Sequence, residues 1–327
     1  MSQPKPIRIA ILGVGGIARK AYLPLLRTWP GVKIVGVGSR TTQTVEKVCA
    51  DWQIDFGTTS VEALLDQKPQ AVFVLSPTLK HAEHARLLLE AGVDVFLEKP
   101  ATESSRLTWQ LVELARQKER LLMVGFNRRS ALLYRQAKDI FAGRPIQLCI
   151  AEKHRPSAFH VSLYNNYLDD TIHQIDLLRF FCGELAPQHT AFQMQDGHLV
   201  GAASSLTIQQ GGGMGLLQTS LQAGTWQERL TLHGSGLTVE VDAFRELRVK
   251  EGAKVEVFGR DRPGRWLSGL EERGFSGEIR QFFECLQTRQ QPASDGINAA
   301  RTQELVEKLV AITGESTQMV PYETPYA

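Results

Sequence analysis

Three groups of residues have types and spacings suited to chemistry. The first is Gly13-Val14-Gly15-Gly16-Ile17-Ala18, a G-x-G-x-x-G/A pattern placed where an apolar run ends and a helical one begins. Gly13 permits a tight turn, Gly15 lets backbone come close to a pyrophosphate, and Ala18 keeps the helix close to a sheet. The helix opening through Gly16 and Ile17 then offers free N–H groups and the positive end of its dipole to phosphates. The second group is Glu98-Lys99-Pro100, at the end of an apolar strand-like run. Ligands of open parallel sheets bind beyond the carboxyl ends of the strands, so Glu98 and Lys99 are expected to face a ligand. Partial burial there would lower the lysine's pKa and fit it for proton transfer to a substrate oxygen. A surface ion pair between the two neighbours is the alternative. Pro100 fixes the turn and is a candidate for a cis bond.

The third group is Asp169, His173 and Asp176, spaced i, i+4, i+7 in a segment otherwise rich in Ile172, Ile175, Leu177, Leu178 and Phe181. At helical pitch the three share one stripe, and a largely buried helix should not carry acids and an imidazole without a use for them. Asp169 can orient the imidazole while His173 exchanges a proton with a substrate hydroxyl. The same residues suit a metal, but no fourth ligand accompanies them and none is assigned. At the end of the second strand, where NAD-selective domains place an acid on the ribose 2′-hydroxyl, stand Ser39-Arg40-Thr41. No carboxylate repels a 2′-phosphate, and Arg40 can pair with one, so NADP is preferred over NAD.

Elements able to position these groups follow from periodicity. Strands are expected at Ile7–Leu12, Ile34–Val37, Ile54–Phe56, Ala71–Leu75, Val93–Leu97 and Leu121–Val124. Helices alternate with them: about Gly15 to Arg27, which Pro24 should kink or end early, then Ser60–Gln67 with Thr59 and Glu62 as a capping box, and Thr78 to Ala91 stopped by Gly92. Six strands alternating with helices predict a doubly wound parallel sheet, the Rossmann arrangement, over residues 1–125. From 126 to 327 the pattern changes to α+β. Helices are expected near Ser130–Phe141, Asp169–Cys182, Ser276–Thr288 and Ala299–Thr313, a strand at Ile146–Glu152, and short antiparallel strands from Thr190 to Phe258.

Composition narrows the classes. A chain of 327 residues is long for one core, and a formal charge of +2 argues against a nucleic-acid footprint. The short basic groups Arg128-Arg129 and Lys153-His154-Arg155 suit a small anionic ligand better, so Arg128, Lys153 and Arg155 are candidates for an anionic group of a substrate. Cys49, Cys149, Cys182 and Cys285 are far apart and form no CxxC pair, which favours free thiols in a reducing cytoplasm. No run approaches the ~18 apolar residues of a spanning helix, and Met1 to Pro6 reads as a polar leader rather than a signal peptide.

The glycine loop, Glu98-Lys99-Pro100 and the Asp-x-x-x-His spacing together resemble the Gfo/Idh/MocA oxidoreductase family. Ala91-Gly92-Val93-Asp94-Val95-Phe96-Leu97-Glu98-Lys99-Pro100 is similar to the family's second signature, and Val124-Gly125-Phe126-Asn127-Arg128-Arg129 to its inter-domain segment. The MviM-like branch is the most similar within it. The resemblance implies a Rossmann domain joined to an α/β domain whose large open sheet often makes dimer contacts, hence a homodimer or higher oligomer. It implies hydride transfer between NAD or NADP and hydroxyl or carbonyl groups of sugars and cyclitols. Lys99, Asp169 and His173 fall on the family's catalytic positions. Ser76-Pro77-Thr78 falls beside the nicotinamide ribose, Asn127 and Arg128 on the cofactor–substrate boundary, and His81 on a recurring histidine that either serves the site or packs its helix start. Thr171 replaces a common glycine, and Asp170 adds a second acid. Two other readings stay open: a glycosidase or lyase with a transient internal oxidation, and a regulatory protein that binds the dinucleotide without turnover.

Overall fold

The computed structural model describes residues 5–259 and 268–322, so residues 1–4 of the expected polar leader lie outside the described residues. The chain forms two compact units. Of the described residues, one gathers those up to Gly125 together with Ile279–Ala300, and the other Phe126–Glu278 with those from Arg301 to Tyr322.

In the first unit, β1 (Ile7–Leu12), β2 (Val32–Gly38), β3 (Gly57–Thr58), β4 (Ala71–Val74), β5 (Asp94–Glu98) and β6 (Leu122–Gly125) form one sheet in the order β3-β2-β1-β4-β5-β6. All its pairings are parallel, as the continuous apolar runs require of strands covered on both faces. The order reverses between β1 and β4, the switch point at which such sheets open a ligand crevice. The third strand lies at Gly57–Thr58 rather than at Ile54–Phe56. A Cβ on Gly57 would fall 2.3 Å from Val45 Cγ1, so only glycine lets the edge approach the helix Thr42–Trp52 this closely.

Pro24 does not end the first helix. The chain passes through a π-turn at Ala18–Tyr22 into Leu23–Arg27, with the Leu23 N–H reaching the Ala18 carbonyl five residues back. The widened turn takes up the register lost where proline has no N–H to donate. Ser60, not Thr59, caps the next short helix: its hydroxyl accepts from the Ala63 N–H and meets Glu62 Oε2 at 2.6 Å. The core beneath the sheet is aromatic. Phe73 stacks on Phe96 at 4.8 Å, and Phe282, from the helix Phe275–Thr288, meets both edge-on at 5.5 Å.

The second unit is built on β7 (Leu148–His154), β8 (Leu185–Gln195), β9 (His198–Ile208), β10 (Met214–Ser220), β11 (Gln227–Gly234), β12 (Leu237–Asp242), β13 (Glu246–Glu251) and β14 (Lys254–Gly259). They form one sheet in the order β14-β13-β12-β11-β7-β10-β9-β8, antiparallel except for the β7–β10 pair. The strands expected to be short are not uniformly so, since β8 and β9 each run 11 residues. The helix expected over Asp169–Cys182 is two helices, Leu163–Asp169 and Ile172–Cys182. Among the described residues no helix is long and apolar enough to cross a membrane.

Candidate dinucleotide and proton-transfer residues

The glycine loop has the geometry its residue types demand. Gly13 sits at φ +98°, and a Cβ there would lie 2.4 Å from the Ser76 amide nitrogen. Its N–H donates to the Gly38 carbonyl at 2.8 Å, which ties the turn to β2. A Cβ on Gly15 would meet nothing within 4 Å, whereas Ala18 is fully buried against the sheet. The first helical bond runs from Arg19 N to Gly15 O, so the N–H groups preceding Arg19 have no partner within the helix. Open space over Gly15 and free donors at a helix start fit the pyrophosphate of a dinucleotide. Gly13→Ala is expected to cost about 2–4 kcal/mol of stability, from backbone strain and overlap with Ser76. A thermal melt of the variant, with NADPH titration of whatever folds, checks it.

Beyond β2, Ser39 is half-buried, while Arg40 and Thr41 are exposed. Thr41 caps the helix Thr42–Trp52 by accepting from the Thr44 N–H, and no carboxylate stands beside Arg40 in sequence. Ser76, Pro77 and Thr78 lie between β4 and the helix Thr78–Glu90. Ser76 Oγ meets His84 Nδ1 at 2.9 Å, a contact from a histidine that no motif singled out.

Lys99 is half-buried one residue past β5, and its backbone is held from both sides. Glu98, which the sequence offered as a possible surface ion pair with Lys99, is instead buried. Its Oε1 accepts from the Tyr22 hydroxyl at 2.9 Å and its Oε2 from the Lys99 N–H at 2.7 Å. The Lys99–Pro100 bond is cis. His81 is 1% exposed, and it bridges the two loops at the strand ends. Nδ1 lies 2.9 Å from the Pro100 carbonyl and Nε2 2.6 Å from that of Ser76. Two acceptors favour the doubly protonated ring, but burial, with the His84 and Lys99 charges, outweighs them and brings its pKa down to about 4. Neutral His81 therefore has one N–H to offer the two carbonyls at neutral pH.

In the second unit the expected Asp169–His173–Asp176 stripe is broken. Asp169 ends one helix, while His173 and Asp176 belong to the next. Asp176, expected beside the substrate with Asp169 and His173, is instead committed to structural partners. Its carboxylate is fully buried, takes Arg129 in a two-pronged pair at 2.6 and 2.7 Å, and accepts from Thr302 Oγ1 at 3.1 Å. His173 is 6% exposed, and Asp169 Oδ2 accepts from the Tyr322 hydroxyl at 2.5 Å.

The three cations expected to bind an anionic group are also committed. Strand alternation puts Lys153 with Cys149 and Ala151 on the buried face of β7, and register places Glu228 of β11 directly opposite it. Lys153 Nζ lies 2.8 Å from Asp170 Oδ1 and 3.3 Å from Glu228 Oε1; Arg128 reaches Glu228 at 2.7 Å and Arg155 reaches Asp170 at 2.5 Å. Burial would raise both carboxyls, but the Arg128 and Lys153 charges bring Glu228 down to about 2, and Lys153 and Arg155 hold Asp170 well below the usual range. Asn127 is buried as well, donating to the Arg273 carbonyl at 2.9 Å and accepting from Arg128 at 2.9 Å. Asp170, which in sequence only added charge beside Asp169, is thus the hub of an ion cluster. Glu228 went unnoticed because its partner is visible only through strand register.

Residues 7–126 match the model of the Gfo/Idh/MocA family, described as an oxidoreductase family with an NAD-binding Rossmann fold. YceM of Salmonella typhimurium, which carries an oxidoreductase name, is 33% identical over 313 residues, covering 93% of this chain and 97% of its own. The scyllo-inositol 2-dehydrogenase (NAD(+)) of Bacillus subtilis is 28% identical over 185 residues, 54% of each chain. Among solved structures, the MviM dehydrogenase of Clostridium difficile superposes with a TM-score of 0.86 at 27% identity, over 94% of this chain and 99% of its own.

Proposed function

The chain belongs to the Gfo/Idh/MocA oxidoreductase family, and from that premise we propose that it moves a hydride between NADP and a hydroxyl or carbonyl carbon of a cyclitol or sugar. The observation that carries this reading is the pairing, on one sheet, of an open glycine turn at the end of β1 with a half-buried, backbone-pinned Lys99 just past β5. Gly13, Gly15, Gly16, Ile17 and Ala18 hold the pyrophosphate, Ser76, Pro77 and Thr78 border the ribose, and the dinucleotide supplies the hydride chemistry when bound. Lys99 stabilises and protonates the substrate oxygen, His173 is the partner acid or base, and Asp169 supplies the carboxylate of the site. The substrate class is supported by the scyllo-inositol dehydrogenase among the relatives. The resemblance to family members that pair through the open sheet supports a homodimer or higher oligomer, which light scattering tests. The four free cysteines fit a cytoplasmic setting.

The preference for NADP rests on exposed Arg40 at the end of β2 and on the absence of an acid there. Arg40→Ala is expected to weaken NADPH binding about 10- to 100-fold, the value of a charge-assisted phosphate contact, and to leave NADH binding unchanged. Nicotinamide fluorescence titrations of both proteins with both cofactors decide this. Equal affinity of the parent protein for NADH and NADPH would overturn the preference.

A further inference from the structure

Asp169 stands in a polar cluster made largely by residues outside the sequence motifs. The Tyr322 hydroxyl donates to Asp169 Oδ2 at 2.5 Å, and His160, fully buried, brings Nε2 to 3.9 Å from the same oxygen. The His160 tautomer follows from its other nitrogen. Nδ1 faces Asn166 Nδ2 at 3.2 Å, and an amide nitrogen only donates, so Nδ1 accepts and the ring proton sits on Nε2, on the Asp169 side. Asn166 is itself oriented by the Thr171 hydroxyl, which donates to its Oδ1 at 2.7 Å.

The segment bearing Tyr322 is docked by specific contacts. Buried Asn165 donates from Nδ2 to the Val320 carbonyl at 2.6 Å and accepts the Val320 N–H on Oδ1 at 3.0 Å, so one side chain reads both polar groups of one backbone residue. The Tyr322 ring lies 5.3 Å from His160 and stacks on Phe159 at 6.3 Å. Asn165 and Asn166 belong to the helix that ends at Asp169, so the element carrying the carboxylate also fixes the tyrosine and the imidazole around it. Burial, and then the Asp169 charge, push the Tyr322 phenol above its ordinary pKa, so it stays a donor.

We infer that Tyr322 is a positioning residue for Asp169, held in place by Asn165 and by its packing against His160 and Phe159. The inference rests on the reading of Asp169 as the carboxylate of the oxidoreductase site. A donor on an ionised carboxylate favours the ionised form and fixes its rotamer. Asp169 is thereby kept charged and directed when a substrate hydroxyl arrives.

Tyr322→Phe is the test, because it keeps the ring stacking and removes only the donor. The first arm needs no turnover. In the full chain labelled with carbon-13 at the aspartate carboxyl, with the Asp169 signal assigned through Asp169→Asn, Tyr322→Phe should move the Asp169 titration up by about one pH unit. His160 stands 3.9 Å from it, the next residue, Asp170, is held by Arg155 and Lys153, and the variant leaves all four in place. The second arm is kinetic: with NADP and a panel of cyclitols and sugars, kcat should fall about 10-fold while the KM for NADP stays constant. An unmoved titration overturns the inference, and so does a moved titration with unchanged kcat. If the parent protein turns over no member of the panel, the oxidoreductase reading falls, and the carboxyl titration still decides whether Tyr322 governs Asp169.

Discussion

Lys99→Met is expected to lower kcat by about 10²- to 10⁴-fold, the usual contribution of a positioned acid–base group, while leaving the affinity for NADPH within a factor of two. Methionine is a fair isostere of the lysine stem, so the substitution removes the ammonium with little change in packing. The backbone should not respond, because it is held by groups the variant keeps. The Lys99 N–H still donates to Glu98 Oε2, Tyr22 still holds Oε1, and the Pro100 carbonyl still meets His81 Nδ1. The glycine loop is fixed separately, by Gly13 on Gly38. His173→Ala should show the same division between turnover and binding. Steady-state kinetics on a polyol panel, paired with NADPH fluorescence titration, measures both quantities. Parent-like turnover in either variant would remove that residue from the proton path.

The parts of the molecule legible in the sequence are those whose physics is local. A strand covered on both faces needs a continuous apolar run, and a glycine turn opening a helix needs its spacing. The six-stranded sheet, the tight turn at Gly13 and the burial of Ala18 were therefore readable. What was not readable depended on distant partners. Asp169, His173 and Asp176 keep helical spacing, yet the chain breaks at Asp170 and Thr171, where Thr171 bonds to Asn166 and Asp170 turns to Lys153 and Arg155. Spacing could not show that Asp176 serves Arg129, nor that Lys153 faces inward, because both follow from register and from elements far along the chain. Tyr322 lies 153 residues from the carboxylate it holds, and no periodic signal links the two.

Glu228→Ala is expected to destabilise the second unit by about 3–5 kcal/mol, the cost of leaving buried cations without their counter-ion. The Glu228 side chain is 0% exposed, that of Lys153 2% and that of Arg128 12%, so water cannot replace the lost carboxylate. Arg128 and Lys153 would then lose the carboxylate they share. Glu228→Gln should cost less, since its amide oxygen keeps one acceptor for Arg128. The same cluster sets the response to acid. Glu228 is depressed from an ordinary 4.5 to about 2, and Asp170 is depressed as well. A carboxyl whose folded pKa lies below its unfolded value contributes stability that is fully present above the unfolded value. That stability is lost as pH falls through the folded one. Urea midpoints should therefore be flat from neutrality to about pH 5 and fall steeply between about pH 4.5 and 2. In Glu228→Ala the fall should be shallower, because one of the two protons that unfolding admits has gone. A variant with the parent's acid slope would mean that other carboxylates govern acid unfolding, and that the buried cluster owes its place to orientation of Asp170 beside Asp169 rather than to stability.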